Sequence, residues 1–191
     1  MSDQLTLLQR GIPTEVLVLL IVITVGSVAA VLAGLRGRGG EKTLRITSGV
    51  LSVLGLIVSG YVVYKTQFLN ELPQCVGGGG GCALVEKSDY SHLAGIHVSI
   101  FGFVGYSLLL AATILQGDRA RVAAFVLSLF GFGFSLYLTY LELWEILAIC
   151  QWCVTSAVVM TMMFVVNTTR MFSYFGLDQY EEETPDPEPA A

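Results

Sequence analysis

The sequence predicts an all-α integral membrane protein, with a four-helix transmembrane bundle over about 45–167 and one extra N-terminal transmembrane helix before it. Three observations carry that prediction. The 191 residues are 54% hydrophobic and only 13% charged, with a mean hydropathy of +0.71, whereas a water-soluble domain carries roughly 25% charge. Five apolar stretches, 15–35, 46–65, 93–115, 121–141 and 146–167, each reach the ~20 residues that a helix needs to cross a bilayer. Within them Asp, Glu, Lys and Arg occur only at the edges.

The first stretch, "VLVLLIVITVGSVAAVLAGL", is mostly Val and Leu and is expected to lie at the periphery, facing lipid. Its positive charges follow it rather than precede it, which is the wrong order for a secretory leader. With the basic loop behind it, this helix makes a unit over 1–43. The second stretch places Ser48, Ser52, Gly55 and Ser59 on one face, and the fourth does the same with Ser128, Gly131 and Ser135. In the third, Gly95, Ser99, Gly102 and Tyr106 form a similar stripe. Helices in lipid associate where small residues let their backbones approach, so the second to fifth stretches are expected to form one bundle over 44–170. The end of the chain differs. Asp178, Glu181, Glu182, Glu183, Asp186 and Glu188 fall in "EEETPDPEPAA" and the few residues before it. That acidic, proline-rich composition predicts a disordered tail over 171–191.

The basic residues orient the chain. Arg36, Arg38, Lys42 and Arg45 lie in the first connecting loop, Arg119 and Arg121 in the third, and Arg170 after the last stretch, leaving only Arg10, Lys65 and Lys87 for the other side. This distribution puts the tail in the cytoplasm and the N-terminus outside the plasma membrane. The loop 66–92 and the start of the last helix are then extracytoplasmic, and they carry all four cysteines.

Several function classes fit poorly. There is no basic patch interleaved with aromatics, so nucleic acid is not an expected partner. Pumps and proton-coupled transporters keep ionisable groups at mid-membrane, and none is present here. His92 and His97 lie on one side of a single stretch, whereas a haem enzyme needs axial histidines from facing helices.

The cysteines come in two close pairs, "CVGGGGGC" (Cys75, Cys82) and "CQWC" (Cys150, Cys153). Disulfides form and persist in an oxidising compartment. The C-x-x-C opens a helix, where free N–H groups favour an anion such as a thiolate. Three readings follow. Four thiolates could hold a structural zinc, although a run of five glycines does not preorganise ligands. The pairs could instead be two structural disulfides in a non-catalytic membrane scaffold. The third reading is a two-pair relay that passes electrons to a membrane quinone, with no metal and no haem. Thiol–disulfide exchange moves two electrons per step, which matches the reduction of a quinone to a quinol.

The order of the pairs separates two known designs. DsbB-type proteins place the C-x-x-C in the earlier loop, whereas this chain has the spaced pair first. It resembles the vitamin K epoxide reductase (VKOR) family over about 45–167. The resemblance rests on "SGYVVY", "CVGGGGGC", Ser88 and Tyr90 beyond it, "GIHVSIFGFVGY" and "CQWC". It implies that Cys75 meets a thioredoxin-like partner, that Cys82 relays to Cys150, and that Cys153 reduces the quinone. Ser88 matches the family's loop serine, and Phe101 stands where family members line the quinone pocket. Members that process vitamin K epoxide carry Asn three residues before that Phe and Tyr four residues after the last cysteine. Here those places hold Val98 and Ala157, so plain quinone reduction, of a menaquinone or ubiquinone type, is the expectation. His97 stands where bacterial-type members often have Pro. It is read as a neutral histidine satisfied at a helix start, or as a pH-sensitive group beside the quinone. Glu142 and Glu145 flank the site and are read as solvated interface residues able to supply protons. No thioredoxin-like domain is fused at either end, so the resemblance implies a separate extracytoplasmic thioredoxin-fold (DsbA-like) partner. The implied activity supports disulfide formation in exported proteins. The glycine run would be the moving part of the relay, since glycine reverses the chain without Cβ strain.

Overall fold

The computed structural model describes residues 14–36, 40–75, 81–93, 95–115 and 117–183. Helix α1 spans Thr14–Arg36, α2 Gly40–Val63, the short α3 Gly81–Glu86, α4 Val98–Ile114, α5 Asp118–Tyr140 and α6 Gln151–Glu183. The expected all-α membrane architecture is present. Among the described residues, Gly40–Phe68, Asp118–Glu145 and Gln151–Ser173 are long and apolar enough to cross a membrane. Helix α4 has 17 residues, about 25 Å at 1.5 Å per residue, the short end of a spanning length.

Helix α2 packs against α4 and α6, α5 packs against α6 and α4, and α1 rests on α2 and α6. Most described side chains of α1 are exposed, Val18, Ile21, Val22, Val25, Val28 and Leu32 among them, while Leu20 and Ser27 are buried against the bundle. The core joins Leu44 and Leu51 of α2, Tyr106 and Leu109 of α4, and Val159, Met160, Met163 and Val166 of α6. Lipid is as apolar as these side chains, so close packing and hydrogen bonding hold the helices together rather than water exclusion. The small-residue stripe of α2 does this. Ser48, Ser52, Gly55 and Ser59 are all buried, and the Tyr106 ring lies where a Cβ on Gly55 would have to go. Tyr106 is fully buried, and its hydroxyl donates to the Ser156 carbonyl oxygen at 2.9 Å. Gly131 receives the side chain of Met160 in the same way.

A polar network ties the opposite end of the bundle. The Ser48 hydroxyl lies 3.1 Å from both Thr113 Oγ1 and Asn167 Oδ1, joining α2, α4 and α6. Buried Arg170 donates to Glu41 at 3.0 Å and to Asn167 at 3.3 Å. Arg45 closes the end of α4 by donating to the Thr113 carbonyl at 3.0 Å.

Three expectations change. The third stretch starts its helix at Val98, not 93, because Gly95 takes φ +80° and turns the chain between two bridge strands. These are β1 (His92–Leu93) and β2 (Ile96–His97), which pair antiparallel with His92 opposite His97. Gly95 therefore leaves the proposed helical stripe. The last helix starts at Gln151, not 146, because the chain first turns through a left-handed residue, Leu147 at φ +52°. Helix α6 also continues to Glu183, into the region expected to be a disordered tail. Residues 171–183, "MFSYFGLDQYEEE", contain no proline to interrupt the helix. Positions 184–191 lie outside the described residues.

Candidate functional site

The helices that lead toward the cysteines, α2 and α5, end in the same way. Each widens into one π turn, Tyr64–Phe68 and Leu141–Glu145. Each then closes on a left-handed residue, Asn70 at φ +49° and Leu147 at φ +52°. Capping bonds run from Glu71 N–H to the Lys65 carbonyl (3.0 Å) and from Ala148 N–H to the Glu142 carbonyl (3.2 Å). Asparagine tolerates this backbone; leucine pays about 1–2 kcal/mol for it. After these turns, one segment leads without regular structure to Cys75 and the other to Cys150.

Cys75 and Cys82 are joined by a disulfide, with Cα atoms 5.7 Å apart. The intervening 76–80, most of the glycine run, lies outside the described residues. Cys82 is buried near the start of α3, and its N–H donates to Cys75 Sγ at 3.2 Å. Gly81 lies so close to the Ile149 carbonyl that a Cβ there would meet the backbone oxygen. The outer pair therefore sits directly on the segment that leads into Cys150. A second contact fixes the same docking. The Trp152 indole N–H donates to the Gln74 carbonyl at 3.1 Å, and its ring packs on Tyr61 with centroids 4.5 Å apart.

Cys150 and Cys153 are free thiols; Cys150 is buried and Cys153 half-buried. Cys150 immediately precedes α6, and its carbonyl accepts from Val154 N–H at 3.0 Å, so the C-x-x-C forms the first turn of the helix. Its N–H donates to Glu142 Oε2 at 3.3 Å.

A cavity of about 640 Å³ opens between α2, α4, α5, α6 and the loops, and Cys82, Cys150 and Cys153 all line it. The sequence-predicted residues Ser88, His97, Val98 and Phe101 line the same space, as does Ala157. Phe134 stands beside Phe101 with ring centroids 6.4 Å apart. Cys75, expected to face a partner, does not line the cavity. Ser88 turns its hydroxyl to the Val85 carbonyl at 2.7 Å, so it shapes the loop after α3.

His97 stands at the start of α4. Its Nδ1 accepts from Ser99 N–H at 3.2 Å, capping α4. That leaves Nε2 as the nitrogen facing Glu86, with which it is hydrogen-bonded. His97 is buried and also lines the cavity. The Glu86–His97 pair ties the end of the cysteine-bearing α3 to the start of α4.

Glu142 corrects the sequence reading. It is only 4% exposed and lines the cavity, whereas Glu145 is exposed as expected. The π turn at the end of α5 rotates Glu142 inward. The available signal was an acid near the end of an apolar stretch, eight positions before a C-x-x-C. The Glu86–His97 pair and the Trp152–Gln74 contact had no such signal, because partners far apart in sequence meet only in the fold. Among the described residues, no group of three or more His, Cys, Asp and Glu side chains is arranged to hold a metal ion.

The family model for the vitamin K epoxide reductase family matches residues 46–168. That span runs from the first turns of α2 to the end of the bundle and includes both cysteine pairs and the cavity between them. The chain thus belongs to the vitamin K epoxide reductase family.

Proposed function

We propose that this membrane oxidoreductase carries electrons from an extracytoplasmic thioredoxin-fold protein, through its two cysteine pairs, to a membrane quinone. The observation that carries the reading is that Cys82, Cys150 and Cys153 share one apolar cavity. Its volume, about 640 Å³, lies within the range of small-molecule sites. Flat apolar walls of the Phe101 and Phe134 kind suit a quinone ring. The free Cys153 thiol supplies a nucleophile.

The sequence of steps conserves electrons. A reduced partner attacks the Cys75–Cys82 disulfide, leaves as a disulfide itself, and reduces the outer pair to a dithiol. Cys82 then attacks the Cys150–Cys153 disulfide; the outer pair closes again and the inner pair becomes a dithiol. Finally the inner dithiol gives two electrons and two protons to the quinone, forming the Cys150–Cys153 disulfide and a quinol. A chain with Cys75–Cys82 bonded and Cys150 and Cys153 as free thiols would be ready for that last step. The basic-residue distribution supports an extracytoplasmic placement of the cysteines and a cytoplasmic C-terminus. Val98 and Ala157 provide no hydrogen-bonding side chain in the cavity, which favours a quinone over an epoxide.

Thiol trapping on the purified protein tests the proposal. Purified chain is reduced, then exposed anaerobically to a soluble short-chain quinone, and free thiols are alkylated and counted. Quinone-dependent loss of the Cys150 and Cys153 thiols, abolished in Cys153→Ser, is the expected result. Thiols that ignore the quinone would remove the reading.

A further inference from the structure

Two carboxyl groups line the cavity, and they are not treated alike. Glu86 is paired with His97. Glu142 is 96% buried, being 4% exposed, yet its Oε1 has no hydrogen-bond partner among the described residues. Its Oε2 accepts the Cys150 N–H, at 3.3 Å. The same carboxyl lies within electrostatic reach of the Cys153 thiol. Burying a carboxyl that is not fully hydrogen-bonded is unfavourable, and a purely structural acid at this position would be expected to have both oxygens satisfied. An unsatisfied oxygen beside a redox-active thiol, in an apolar cavity, is the arrangement a proton carrier requires.

We propose that Glu142 is a catalytic acid–base residue of the quinone step, a role that rests on the quinone-reducing function above. As the Cys150–Cys153 disulfide forms, two S–H bonds break, and two electrons pass to the quinone. Glu142 takes the Cys153 proton and delivers it to one quinone oxygen, ending as the carboxylate it began as. The Cys150 proton completes the quinol at the other oxygen. No further oxidant or reductant is needed.

Three substitutions separate a proton carrier from a residue that only positions Cys150. Glu142→Gln keeps the volume and an oxygen able to accept the Cys150 N–H, but it cannot carry a proton. Glu142→Asp keeps the acid on a shorter arm, and Glu142→Ala removes both functions. Each full-length protein is reduced with dithiothreitol, freed of it by gel filtration and mixed anaerobically with a short-chain benzoquinone in a stopped-flow instrument, and quinol formation is followed. Oxidation of the dithiol by the outer disulfide, measured without quinone, reports folding and the first step. Glu142→Gln is expected to slow quinol formation about 100-fold or more, as much as Glu142→Ala does, while Glu142→Asp recovers part of the rate. Outer-pair exchange in Glu142→Gln should stay at the wild-type rate. If Glu142→Gln makes quinol within about threefold of wild type while Glu142→Ala does not, positioning alone explains the residue and the proton role is overturned. A wild-type protein that makes no quinol at all would instead strike the proposed function itself.

Discussion

Gly81→Ala tests how the two cysteine pairs are brought together. In the structure a Cβ on Gly81 would lie 3.2 Å from the Ile149 carbonyl carbon and closer still to its oxygen. The obstacle is backbone, so no side chain can rotate out of the way. Either α3 or the Ile149–Cys150 segment must retreat, by roughly 1 Å, a displacement that can cost about 100-fold in a transfer step. Cys82 is the next residue after Gly81, and Cys150 the next after Ile149, so the retreat falls on the two sulfurs of the relay. The bundle core lies elsewhere and should melt at an unchanged temperature. The assay is a single turnover: reduced partner or dithiothreitol is added to protein with its inner disulfide formed, and mixed populations are trapped with acid and alkylated. Gly81→Ala should accumulate protein with the outer pair reduced and the inner pair still bonded. Gly133→Ala is the control, since nothing lies within 4 Å of its added methyl. Wild-type transfer in Gly81→Ala would refute the idea that this contact sets the distance between the pairs.

Three further outcomes are expected. Gly55→Ala drives a methyl into the Tyr106 ring and should destabilise the bundle in detergent by about 1–3 kcal/mol, read from its thermal or denaturant unfolding. Tyr106→Phe removes the 2.9 Å hydrogen bond to the Ser156 carbonyl and should lower stability by about 1 kcal/mol, with less effect on the thiols. Arg170→Met frees Glu41 and Asn167 from hydrogen bonds of 3.0 and 3.3 Å. It should weaken the opposite end of the bundle by about 1.5 kcal/mol, and quinone reduction per folded molecule should not change.

The spans were legible because membrane solvent imposes a simple rule. A helix must be apolar along its full crossing, and runs such as Val16–Leu35 or Leu51–Val63 display that directly. The small-residue stripe of α2 was equally plain, because spacing along a helix maps onto one face. Element starts were less legible, since local backbone chemistry competes with hydropathy. Gly95 at φ +80° and Leu147 at φ +52° stop the helix in runs that are otherwise apolar. Over 171–183 the helix continues where a disordered tail was expected, because composition weighs the acids and prolines of the whole segment together while these thirteen residues hold no proline.

The cysteine site was readable because its chemistry is local in sequence, a spaced pair and a C-x-x-C. Its surroundings were not. Whether Glu142 faces water or the cavity depends on one π turn, and the Trp152–Gln74 bond joins residues 78 positions apart. Such contacts belong to the packed chain and leave no periodic trace.

The central claim is that electrons leave the protein for quinone only through these thiols. An anaerobic single turnover with reduced wild-type protein, a soluble quinone and simultaneous counts of quinol and free thiols tests it most directly. The account predicts one quinol for every two thiols lost, summed over the Cys75–Cys82 and Cys150–Cys153 pairs. Quinol produced at the wild-type rate by a chain lacking all four cysteines, with a dithiol as donor and the protein-free rate subtracted, would contradict it.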